Sequence, residues 1–210
     1  FRNPIDVFDR HLYQKGCCVL HTLRCEMGDE PFFAGLNQYL TRHRHQTVHT
    51  RHFQRAMEDA TGLNLDQFFD QWIHSAGHPA LKVKLSEEET LLIVKVEQTQ
   101  SHSETPEAFC FTLPLELVFD DDRRQLVKLP IKERQRTWAI PTEGAVKFVR
   151  VDPDFSLLGT IDLDAPNGWL TALSADPCPV LATRAVKALL KDGAVQAVNA
   201  ARDAMMGHPF

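Results

Sequence analysis

Apolar positions recur at helical spacing through the first 78 residues and alternate after that. Val19, Leu20, Leu23 and Met27 share one helical face, and Gly28 follows as a stop. Phe32, Phe33, Leu36, Tyr39 and Leu40 make a second amphipathic stripe. Thr50 reads as the N-cap of a third helix bearing Phe53, Ala56, Met57 and Ala60, closed by Gly62. Asn64 caps a fourth, whose apolar face is Leu65, Phe68, Phe69, Trp72 and Ile73. Gly77-His78-Pro79 breaks the pattern. Connections this short predict antiparallel packing of neighbouring helices.

Between about residues 79 and 163 the period falls to two. Lys82 to Leu85 and Leu92 to Val96 alternate, followed by runs at 109–113, 115–119, 125–131, 135–140, 146–151 and 157–163. Glu87-Glu88-Glu89, Asp120-Asp121-Asp122, Glu143-Gly144 and Asp152-Pro153-Asp154 separate them as turns. Short strands with regular breaks predict an antiparallel β-sandwich. Pro114 and Pro130, inside strand-like runs, predict edge strands or bulges. From Gly168 the pattern is helical again: Trp169, Leu170 and Leu173, a break at Asp176-Pro177, then an Ala-rich pair at Val180 to Leu190 and Ala194 to Met206. Such pairs build α-solenoids, which need about three units to bury a core. The expected fold is therefore multidomain α+β: a helical segment over 1–78, a β-sandwich over 79–164, and the start of HEAT-like helical hairpins over 165–210. With one or two solenoid units and a first residue that is Phe1, the sequence predicts a piece of a longer protein.

Composition adds exclusions. The 210 residues are 43% hydrophobic and 24% charged, the mix of an ordinary globular chain, and the formal charge is -5 with ten histidines. A nucleic-acid binder would want a basic stripe, and none is present. No apolar run approaches the roughly 20 residues that span a bilayer. Neither nucleic acid nor membrane is expected as a partner, and a cytoplasmic location is the working expectation. Cys17, Cys18, Cys25, Cys110 and Cys178 are odd in number and lack CxxC spacing, so they read as small buried thiols rather than a disulfide framework.

Four segments carry chemistry by resemblance. Tyr13-Gln14-Lys15-Gly16 opens an apolar helix running to Arg24. Met27-Gly28-Asp29-Glu30-Pro31-Phe32 turns into the next. Thr50-Arg51-His52-Phe53 leads to Glu58 and Gly62, and Leu65-Asp66-Gln67-Phe68-Phe69-Asp70-Gln71-Trp72 leads to Gly77-His78-Pro79. In this order and spacing they resemble the end of the catalytic domain of the M1 (gluzincin) zinc aminopeptidases. Two positions depart from the family pattern. His52 stands where Asp is common and is expected to help cap its helix, and Cys17-Cys18 replace small residues of similar volume.

The resemblance implies a zinc metalloaminopeptidase that removes N-terminal residues from peptides. It also implies one catalytic residue, Tyr13, whose phenol donates a hydrogen bond to the oxyanion formed at the scissile carbonyl. A lone Tyr at a helix start would simply pack there with its hydroxyl in water; Lys15-Gly16 and the downstream motifs favour the catalytic role. The zinc of such an enzyme comes from a His-Glu-x-x-His helix, which this sequence lacks. His45 and His49 have the spacing, but Gln46 occupies the general-base position; His74 and His78 are interrupted by Gly77. Both pairs read as solvated loop. Phe68, Phe69 and Trp72 read as core, and Asp120-Asp121-Asp122 as a turn. This stretch is expected to hold no metal and no cofactor and to be inactive alone, its partners being peptide substrates of the whole enzyme. The alternative is a non-catalytic aminopeptidase-like scaffold, against which the retained Tyr-x-Lys-Gly argues. Elemental analysis after dialysis should find no stoichiometric zinc on the 210-residue chain; one tightly held zinc per chain would revive the His45/His49 pair.

Overall fold

The computed structural model describes residues 2, 3, 5, 8–192, 199, 202 and 206. It divides into two compact units: residues 1–78 with the short segments His102–Pro106 and Ser156–Leu158, and Pro79–Ser101 with Glu107–Phe155 and the chain from Gly159.

The first unit is helical. A π-helical turn, His11–Lys15, runs into α1 (Gly16–Met27), followed by α2 (Asp29–Arg42) and α3 (Thr50–Thr61). A short α4 (Asp66–Phe69) continues into a second π turn, Asp70–His74. The glycine stops act where the sequence puts them, while each expected N-cap is off by one residue. Gly62 takes a left-handed φ of 70° and its N–H bonds Glu58 O at 2.7 Å; this conformation is cheap only for glycine. The Asn64 side chain accepts the Asp66 N–H at 3.0 Å just ahead of α4, whose N-cap is Leu65 rather than Asn64. Thr50 lies inside α3, whose N-cap is His49, a one-residue difference at a boundary.

The core of this unit is Leu23, Phe32, Met57, Leu65 and Phe69, with Met27, Leu36, Phe53 and Phe68 packed against it. It is close-packed where α2 meets α3. A Cβ on Gly35 would fall 2.6 Å from Met57 Sδ, so the helices approach as they do because residue 35 has no side chain. Part of the apolar stripe stays in water: Leu20 on α1, and Phe33 and Leu40 on α2, are all exposed. The thiols depart from expectation. All five are free, Cys17 and Cys18 are exposed, and the other three are only half-buried. Val19, Thr22 and Leu23 form the buried side of α1, and Cys17 and Cys18 fall outside it.

The second unit holds seven strands: β1 (Ala80–Glu88), β2 (Leu91–Gln98), β3 (Phe111–Phe119), β4 (Arg124–Ile131), β5 (Gln135–Pro141), β6 (Val146–Val151) and β7 (Thr160–Asp164). One sheet has the order β5-β2-β1-β7 and the other β4-β3-β6. The runs expected at 109–113 and 115–119 are one strand, β3, with Pro114 inside it. Pro114 thus sits on the central strand rather than the expected edge; on the β6 side its carbonyl accepts the Asp152 N–H at 2.8 Å but it cannot donate in return, and the regular pairing with β6 begins at Leu115. Pro130 lies on β4, an edge strand, as the sequence predicts. The Asp120–Asp122 run is a hairpin turn, with Asp122 N–H on Phe119 O at 3.0 Å and Arg123 held by Asp121. One pairing departs from an all-antiparallel reading: β1 and β7 are parallel. Parallel neighbours need a long crossover, and five strands intervene between these two in the chain.

Two helices complete this unit, α5 (Asn167–Leu173) and α6 (Pro179–Asp192). They pack on each other, α5 also against β6 and α6 against β7. The second Ala-rich helix, expected over 194–206, lies outside the described residues. An ion cluster ties these elements together. The Arg150 guanidinium on β6 bonds Asp176 at 2.6 Å and Glu116 of β3 at 2.7 Å. Burial pulls this guanidinium toward a lower pKa, but the two carboxylates outweigh it and leave it raised. Arg184 on α6 donates to the carbonyl of Val151; burial lowers its pKa, against the opposing pull of Asp152. The Asp176 side chain is fully buried and also accepts the Cys178 N–H at 2.9 Å, which shapes the entry to α6.

Removing one partner from a buried pair strands the other charge. Arg150→Ala is therefore expected to destabilise this unit by about 3 kcal/mol. Arg124→Ala, whose guanidinium is exposed and 3.6 Å from Glu116, should change stability by about 0–1 kcal/mol. Urea denaturation of the two variants checks the contrast, which is lost if they unfold at the same midpoint.

Candidate active site

Tyr13 sits in the π-helical turn that precedes α1, and its side chain is 63% exposed. The defining bond of the turn is Lys15 N–H to Arg10 O at 3.0 Å, closing on the fifth residue rather than the fourth. Such widened turns are rare and cluster at functional sites. Val19 and Leu23 anchor α1 on the helical core, so the turn is carried on a fixed support and its phenol faces outward.

The next turn in the chain is held electrostatically. Arg24 near the end of α1 makes a two-pronged contact with Asp29, Nε to Oδ1 and Nη2 to Oδ2, both at 2.8 Å. The same guanidinium lies over the Phe33 ring, 5.3 Å from its centroid. The hydrogen bond from Arg24 holds the Asp29 carboxyl below its ordinary pKa and raises the guanidinium. Asp29 is also the first residue of α2, where a negative charge suits the helix dipole.

Beside the π turn lies a cleft of about 330 Å³. Arg10, Gln14, Lys15 and Cys18 line it together with Gly77, His78 and Leu158. Its basic residues were not singled out as a group in the sequence. Lys15 was visible as part of Tyr-x-Lys-Gly, but Arg10 and His78 are brought to it only by the fold.

Among the described residues no three His, Cys, Asp or Glu side chains are placed to hold an ion. His45 and His49 lie in the connection between α2 and α3, not on a helix, and His45 Nε2 faces Arg44 Nε at 3.1 Å. His74 ends the second π turn and His78 lies beyond it. His43 and His52 stack with ring centroids 4.7 Å apart, and His49 lies 5.7 Å from His52. His52 Nδ1 accepts the His49 N–H at 3.1 Å, so His52 caps α3 in place of a carboxylate.

The Peptidase family M1 domain matches residues 2–72, the stretch that holds the π turn and the helical core. This stretch of the chain is thus similar to peptidase family M1. Similar proteins in the family include a glutamyl aminopeptidase of Bos taurus, 28% identical over 157 residues that cover 70% of this chain and 16% of that protein. An aminopeptidase N of Lactococcus lactis subsp. lactis is 30% identical over 84 residues, 40% of this chain and 10% of its own length. A puromycin-sensitive aminopeptidase of Caenorhabditis elegans is 24% identical and reaches 94% of this chain but 21% of its own. The chain thus spans between about a tenth and a fifth of these relatives. The solved structure of Legionella pneumophila aminopeptidase A in complex with aspartic acid shares the fold, with a TM-score of 0.73 at 14% identity over 92% of this chain and 23% of that one.

The His52 cap makes the α2–α3 junction sensitive to acid. Burial first, then the neighbouring His43, His49 and Arg55, push its pKa below the ordinary histidine value of about 6.5. The unfolded chain therefore takes up the proton first as pH falls. The stability the cap contributes is complete above the unfolded pKa and is lost as pH drops from about 7 toward 5. Protonation also removes the Nδ1 acceptor and sets a cation at a helix N-terminus. Thermal melts across that window should show a falling midpoint, and His52→Asp, which caps with a carboxylate, should flatten the slope. An unchanged slope in that variant would remove His52 as its source.

Proposed function

We propose that this chain is the end of the catalytic domain and the following domains of a metalloaminopeptidase that cleaves N-terminal residues from peptides. In this reading residues 1–78 close a thermolysin-like catalytic domain, 79–164 form a β-sandwich, and 165–210 begin a HEAT-like helical domain. The observation that carries the proposal is Tyr13 held outward on a rare π-helical turn within the stretch that matches the family. Its role is the hydrogen-bond donor to the oxyanion that develops on the scissile carbonyl. A phenol on a helix-anchored turn is a rigid, neutral donor, and it costs no reorganisation as charge forms.

The described residues do not fit a zinc site, since no three ligating side chains converge. The zinc of the whole enzyme would be held by other residues, and this stretch by itself is inactive. Its contribution is the tyrosine and the wall that carries it.

Tyr13→Phe in the intact protein removes one hydroxyl and leaves the ring. If the phenol stabilises the oxyanion, kcat should fall by on the order of 10²–10³. KM for a small aminoacyl anilide should change much less, because the bond strengthens mainly in the transition state. Metal content should stay constant. Tyr39→Phe serves as control, since Tyr39 packs on Phe53 and His43 at the inner end of α2. A Tyr13→Phe enzyme with near-normal kcat and full metal would end the assignment.

A further inference from the structure

We draw no further inference here: the strongest candidate, the exposed apolar side chains on the outer faces of α1 and α2 (Leu20, Phe33 and Leu40), carries nothing because nothing in the structure shows what covers them.

Discussion

The helical unit depends on the close approach of α2 to α3 at Gly35. With Met57 Sδ only 2.6 Å from where a Cβ would stand, the contact admits no side chain at that position. Everything else in the unit is built around it. Met57 reaches the shared core, Phe32 and Leu23 bring α2 and α1 to the same cluster, and Leu65 and Phe69 bring α4. Each of these large side chains contributes about 1.5–3 kcal/mol when fully buried. Because α1 is seated by Val19 and Leu23, the π turn at its head is seated too. The exposure of Tyr13 is thus a consequence of packing two turns away.

Polar interactions refine this frame without creating it. Arg24 and Asp29 lock the α1–α2 turn through an exposed two-pronged contact, which orients more than it stabilises. His52 caps α3 with a group that loses its acceptor when protonated. In the other unit the balance differs. Arg150 and Asp176 are buried together, and that pair links a strand to the turn before a helix. Where charges are in water they choose among conformations; where they are buried, losing one partner is costly.

Much of the helical unit was legible in the sequence because its signals are local. A period of 3.6 marks the buried face, Gly28 and Gly62 mark ends, and Asn64 marks a start to within one residue. The strand boundaries followed from alternation and turn residues in the same way. Legibility failed where the answer depended on a partner distant in sequence. The placing of Pro114 on a central strand depended on which strands flank β3, and the β1–β7 pairing joins residues about eighty positions apart. Cys17 and Cys18 look like core residues by type but are exposed, because the adjacent Val19, Thr22 and Leu23 take the inner face.

The candidate site divides along the same line. The sequence by itself determined that Tyr13 heads a helix, that it belongs with Lys15-Gly16, and that no His-Glu-x-x-His frame is present, since residue identity and spacing are properties of one short segment. The tertiary structure decided that the turn bearing Tyr13 closes on the fifth residue, that His52 faces His43, and that Arg10, Lys15 and His78 border one cleft. Those are facts about backbone path. A helical pattern is compatible with either turn, and residues more than sixty positions apart share a cavity only once the core between them has formed.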